Sequence, residues 1–332
     1  MACRVAKALD DPGKEKNMNP RLIGYAFAVL GVLIISPDSA LIRKIAMNPW
    51  GLLFWRGVGI FGVAAVLSLI WYRGGLIQYF RQTGKLGLAI TVFFFISTCS
   101  FVYSALTINP IILLIVVALG PVSGALFSIV LLREPPRMAV WIAIGLSFVG
   151  MGLVVWGEME ANDGFARLAA GQGLLLPPWP SLLALFFVPT LLGLCFTLTR
   201  RIEQPNIWPS NALAGLLAIV IMPFFAPTLQ IPAGVFWEFF FLIVGVSGFS
   251  FIFVTLAPRW ISSAETSLVF LLETLLGSIW IWLLIGQQPE LHEIAGGAVV
   301  GLAVVVVVMS AVRAKDEPKN APPSPPAAEQ RS

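Results

Sequence analysis

The sequence predicts an all-α integral membrane protein with ten transmembrane helices, arranged as two inverted five-helix repeats. Three observations carry this expectation. Hydrophobic residues make up 58% of the 332 and charged residues only 11%, where a soluble domain carries about 25% charge. A mean hydropathy of +0.89 is spread along the chain rather than held in one anchor. Lysines and arginines gather at alternate ends of the apolar runs instead of forming a patch.

A bilayer core about 30 Å thick asks for roughly 20 apolar residues per helix. Runs of that kind fall at Leu22–Ile42, Trp50–Trp71, Leu86–Leu106, Ile111–Leu132 and Met138–Trp156. A second set falls at Ser181–Leu198, Ile207–Phe225, Val235–Leu256, Ser263–Ile285 and Ile294–Val312. The resulting organisation is a cytoplasmic N-tail (1–21), a first repeat (22–156), an extracytoplasmic linker (157–180), a second repeat (181–312) and a proline-rich, disordered C-tail (313–332).

Ten spans put seventeen basic residues on one side and three, Arg43, Lys44 and Arg167, on the other, with Arg56 inside a helix. Basic loops face the cytoplasm, so both termini are expected there, in the cell (inner) membrane. Nine or eleven spans would scramble that split. Trp50, Trp156, Trp237 and Trp282 fall near outer ends, and Trp71, Trp141, Trp208 and Trp260 near inner ends, as interfacial belts require. The net charge of +4 therefore reads as orientation and not as a nucleic-acid surface. Cys3, Cys99 and Cys195 stand apart, without a CxxC or a Cys/His cluster, so no zinc site or disulfide framework is suggested.

The halves look related. GPVSGALFSIVLLREPP (Gly120–Pro136) aligns without gaps to ETLLGSIWIWLLIGQQP (Glu273–Pro289), pairing Gly124 with Gly277, Leu131 with Leu284 and Pro136 with Pro289. An odd number of spans per half inverts one copy against the other, a device of secondary transporters. SPDSALIRKIAMNPWGLLFWRG (Ser36–Gly57) resembles the first hairpin of EamA-type members of the drug/metabolite transporter superfamily. Phe101–Pro136 resembles that family's third and fourth helices, Trp141–Val155 its glycine-rich fifth, and Glu273–Val308 the second copy. The resemblance implies a ten-helix, 5 + 5 alternating-access carrier for a small metabolite or drug-like solute, with export the expected direction. The family's glutamate after the fourth helix is matched by Glu134; its second-copy counterpart is replaced by Gln287 or Gln288.

Charge inside a bilayer costs at least about 2.5 kcal/mol at a helix centre and so marks function or pairing. Glu273 lies mid-span, on one helical face with Gly277 and Trp280. It is the leading candidate for a cationic substrate group or a coupling proton; the structural alternative is a protonated carboxyl bonded to a neighbouring helix. Asp38 and Arg56 sit at depths of about 6 and 9 Å from the outer ends of adjacent antiparallel helices, where an ion pair is the favoured reading over direct substrate contact. Tyr103 is a candidate cavity-wall aromatic with a hydroxyl that needs a partner. Pro110, Gly120 and Pro121 are expected to kink the fourth helix. Glu134 is expected to pair locally with Arg133 or to act as a gate.

His292 is the one histidine, HExxH is absent, and no phosphate-binding glycine loop occurs. An enzyme is therefore not expected, nor a metal or cofactor. The expected partners are a small-molecule substrate and the lipid bilayer. A non-transporting membrane scaffold or sensor is the alternative from another class.

Overall fold

A computed structural model describes residues 20–72, 84–107, 117, 119–161, 179–201, 208–286 and 290–313. The helices among them are α1 (Pro20–Ile35), α2 (Asp38–Ile45), α3 (Pro49–Tyr72), α4 (Gly84–Thr107), α5 (Gly120–Phe127), α6 (Met138–Ala161), α7 (Trp179–Thr199), α8 (Trp208–Ile221), α9 (Phe236–Phe240), α10 (Ser250–Leu256), α11 (Ser263–Phe270), α12 (Leu272–Ile285) and α13 (Leu291–Arg313). No strand occurs among the described residues. Six stretches are long and apolar enough to cross a membrane: Arg21–Ile45, Pro49–Leu67, Gly84–Leu106, Met138–Gly157, Phe236–Arg259 and Leu291–Ser310. Gly120–Leu132, Phe186–Thr199 and Pro209–Phe224 are shorter apolar helices. Outward-facing Val66, Val149 and Leu283 are 55%, 58% and 63% exposed, an apolar exterior that suits lipid and not water.

Several spans are less regular than their hydropathy. The first divides at Pro37, which has no N–H to give the Leu33 carbonyl; the Ser36 hydroxyl donates to that carbonyl instead, at 2.9 Å. Asp38 then occupies the first turn of α2, and Ala46 ends it in the left-handed region. The ninth expected span, Ser263–Ile285, is also divided, at Leu271, between α11 and α12. The eighth holds a wide π turn, Phe241–Phe249, between α9 and α10. Pro121 stands in the first turn of α5, where a helix needs no N–H, and most of the expected span before it lies outside the described residues. A further irregularity of that span is the π turn Ser128–Leu132, which Arg133 closes at φ +57°. Pro110 lies outside the described residues, as do Gln287 and Gln288. α6 extends five residues past the expected boundary at Trp156, to Ala161.

Small residues let the helices approach. Without a hydrophobic drive between helices in lipid, close backbone packing must hold them. A Cβ on Gly57 would stand 2.7 Å from the Gly215 carbonyl of α8, and one on Gly150 2.6 Å from the Gly296 carbonyl of α13. The helix contacts are α3 with α8 and the 241–249 turn, α4 with α7 and α8, α5 with α7 and α11, α1 with α10 and α11, α2 with α12, and α6 with α13. Three apolar clusters result, two of them large and a small third at Val63, Ile252 and Leu256. Of the large pair, one surrounds Leu52, Leu53, Phe94, Leu242 and Phe251; the other surrounds Val32, Val140, Leu268 and Val300.

Gly59→Ala is expected to destabilise the protein by about 1–3 kcal/mol, because its Cβ would run into the Ile243 carbonyl, a backbone atom that cannot turn aside. Gly62→Ala, one turn along the same helix and facing open space, is expected to leave the unfolding midpoint unchanged. Denaturant unfolding in detergent of the two variants side by side checks this.

Candidate functional site

The two helix breaks bring ionisable groups together. α2 packs on α12, so the first turns of the two helices, bearing Asp38 and Glu273, meet inside the bundle. Each carboxylate sits at a helix N-terminus, where unsatisfied N–H groups favour negative charge. Arg56 of α3 lies between helices and donates from Nη1 to both Asp38 oxygens, at 2.8 and 3.0 Å. Asp38 is 0% and Arg56 1% exposed, so the pair is fully desolvated. The Arg56 Nε finds no protein partner, and the residue lines a void of about 10 Å³ shared with Thr98 and Cys99, room for about one water.

Glu273 lies within electrostatic reach of both Asp38 and Arg56. Among the described residues no hydrogen bond or ion pair reaches its carboxylate. It remains partly exposed beside two neighbours that are not. One helical turn on, Gly277 faces the Ser36 carbonyl, which an added Cβ would meet at 3.9 Å. A further turn on, Trp280 donates its Nε1–H to the Ser36 hydroxyl at 2.8 Å. Glu273, Gly277 and Trp280 thus form one stripe facing the break in the first span, at the i, i+4, i+7 spacing that puts residues on one helix face.

This stripe leads to a cleft of about 450 Å³ lined by Pro37, Leu41, Gly234, Trp237, Glu238, Phe241, Trp280 and Leu284. Lys44 and Glu238 pair at 2.9 Å, both partly exposed. At the other end of the bundle, Glu134 pairs with Arg200 and not with Arg133. Arg201 donates to the Leu131 carbonyl, filling an orphan acceptor at a helix end. The expected local pair fails because Arg133 turns into the left-handed region, while α5 and α7 pack side by side.

Asp38, Arg56, Glu273, Gly277 and Trp280 therefore share one site. The ring of Tyr103 lies 5.9 Å from that of Trp50, which is also tilted against Phe225. Gly120 and Pro121 stand at the start of α5, with Gly120 facing Ser267. The sequence reading passed over Glu265, which is buried, accepts from Tyr25 Oη at 2.9 Å and from the Ser262 N–H at 2.6 Å, and completes a capping box with Ser262. Its signal was the spacing S-x-x-E ahead of an apolar run.

No protein-family model matches the sequence, and no curated protein is similar to it at a significant level. Among solved structures, one described only as a protein superposes with a TM-score of 0.70 over 88% of this chain and 99% of its own, at 15% identity. That likeness shows a shared fold.

Asp38→Asn leaves the Arg56 charge buried without a partner and is expected to cost about 3–5 kcal/mol. The double variant with Arg56→Gln is expected to recover most of that loss. A double-mutant cycle on thermal unfolding checks it; additive losses would contradict the pairing.

Proposed function

We propose that the chain is a secondary carrier that moves a small metabolite or drug-like solute across the cell membrane by alternating access, in the export direction. The observation that carries this reading is Glu273: a carboxylate with no hydrogen-bond or ion-pair partner among the described residues, beside a buried Asp38–Arg56 pair, at helix breaks inside an apolar bundle. Ionisable groups at such places line substrate and ion pathways, and broken helices build the sites of secondary carriers. Glu273 is the candidate coupling group, for a proton or for a positive group on the solute.

The ten-span, two-repeat organisation belongs to the same proposal, as does the resemblance to EamA-type drug/metabolite transporters. Two features support the repeat. The contacts among helices persist when the halves are exchanged: α3 with α8 and α6 with α13 map onto themselves, α4 with α7 corresponds to α1 with α10, and α5 with α7 to α1 with α11. The start of α5 at Gly120 and of α12 at Leu272 lie within one residue of the register that aligns Gly120 with Glu273. Inverted halves that are nearly alike in energy supply two openings to one central site. On this reading Glu134–Arg200 closes the cytoplasmic opening, while the cleft at Trp280 leaves the outer one accessible.

Proteoliposomes holding the purified protein are expected to show saturable solute counterflow, and Glu273→Gln is expected to reduce it at least tenfold. A ligand found by thermal stabilisation supplies the solute, since binding at 100 times its Kd adds about 2.7 kcal/mol to folded-state stability. Equal counterflow by wild type and Glu273→Gln at every pH would contradict the role given to Glu273. Continuous, unsaturable conduction would contradict a carrier.

A further inference from the structure

Three stretches of chain line the 450 Å³ cleft: Pro37 and Leu41 at α2, Gly234 to Phe241 through α9, and Trp280 and Leu284 of α12. They are held with unequal strength. The stretch leading into α9 is stitched to the corner between α2 and α3. Asn48 Nδ2 donates to the Thr228 carbonyl at 2.9 Å, and Trp55 Nε1 donates to the Leu229 carbonyl at 3.0 Å. The Lys44–Glu238 pair adds a third tie at 2.9 Å. Ile231 and Val235 pack against the cluster around Leu52 and Leu53.

α12 has one tie at the cleft. Among the described side chains, its hydrogen bond to another element is that of Trp280 Nε1–H to the Ser36 hydroxyl, at 2.8 Å. Its nearest glycine contact, Gly277 to the Ser36 carbonyl, is loose, since an added Cβ would still stand 3.9 Å away. Ile279, Trp282 and Leu283 are exposed, and lipid tails can replace the apolar contacts that α12 gives up when it moves. α11, just before the break at Leu271, is fixed by contrast. A Cβ on Gly124 of α5 would meet the Ser263 and Ala264 backbone at 3.0 Å. Ser263 accepts from Thr197 Oγ1 at 2.9 Å, and Glu265 accepts from Tyr25 at 2.9 Å. A fixed segment joined at a break to a loosely held one makes a hinge.

We infer that α12 is the moving wall of the cleft: it swings about Leu271 on the fixed α11, and the Trp280–Ser36 hydrogen bond latches it shut. Ser36 suits a latch, because its hydroxyl also donates to the Leu33 carbonyl and stays bonded after Trp280 leaves. One hydrogen bond yields more readily than two hydrogen bonds and an ion pair, so α9 stays with α2 and α3. Glu273, two residues past the hinge, keeps its place near Asp38 and Arg56 while Trp280 and Leu284 travel. Leu283 lies about 18 Å along the helix from Leu271, so a tilt of about 10° carries it about 3 Å. The inference rests on the carrier reading only for the use that transport makes of the opening.

The test reads the distance across the cleft in the detergent-purified full chain, with Cys3, Cys99 and Cys195 replaced by serine. Spin labels are placed at Leu283→Cys on α12 and Phe240→Cys on α9, both exposed positions, and double electron–electron resonance gives their separation. Trp280→Phe and Ser36→Ala remove the donor and the acceptor of the latch in turn. Each is expected to lengthen the separation by about 3 Å, while Lys44→Met, which breaks the ion pair to α9, leaves it unchanged. A change with Lys44→Met and not with the latch variants would make α9 the moving wall and overturn the inference. So would an unchanged separation in all three variants, or an equal change in all three. Solute counterflow in proteoliposomes separates this from the carrier reading. Latch-dependent separation without counterflow keeps the moving wall and removes the carrier. Counterflow by a protein whose separation no variant alters keeps the carrier and removes the latch.

Discussion

Burying Asp38 against Arg56 forces much of the remaining arrangement. Neither charge could stay in an apolar bundle alone, and the two-pronged contact at 2.8 and 3.0 Å leaves little freedom to the helices that carry them. Pro37 must break the first span so that Asp38 begins a new helix with free N–H groups at its end. Arg56 must be brought inward by α3, which fits because Gly57 and Gly59, next to it in sequence, let α3 press on α8 and on the 241–249 turn. α12 then closes over the pair, and Glu273 is placed where both charges act on it.

On the proposed carrier reading, the asymmetry between the two halves bears on transport. In the alignment of the proposed repeats the position of Glu273 corresponds to Gly120, so that a carboxylate stands in one copy and not in the other. The ionic contacts found at the two ends differ in kind. One end has Glu134–Arg200, with Arg201 donating to the Leu131 carbonyl beside it. The other has one partly exposed pair, Lys44–Glu238, at an open cleft.

Hydropathy located the six stretches long and apolar enough to span, because a bilayer imposes length and composition on each span. Asp38 and Arg56 could be paired from sequence because they lie on consecutive antiparallel helices, so their depths decide whether they meet. Glu273 stood out through the cost of its charge. The break beside it did not: Leu271 and Leu272 carry no proline or glycine to announce it, and the interruption answers to packing against α2 and α1. Glu134 was given the wrong partner for a similar reason. Its neighbour Arg133 is one residue away, whereas Arg200 arrives only through the contact of α5 with α7. Glu265 carried a local signal in its capping box, but its burial depends on Tyr25, 240 positions away.

On the proposed carrier reading, the Glu273 stripe faces a space reached from each side of the membrane in turn. Gly277, between Glu273 and Trp280, has room for a thiol, so Gly277→Cys in a chain with Cys3, Cys99 and Cys195 replaced by serine provides a direct probe. Labelling by a membrane-impermeant thiol reagent, applied to one face of oriented vesicles at a time, is the measurement. Modification from both faces is expected, with the balance shifting when transported solute is added on one side. Modification from one face alone, unmoved by any solute that binds, or from neither, would contradict it.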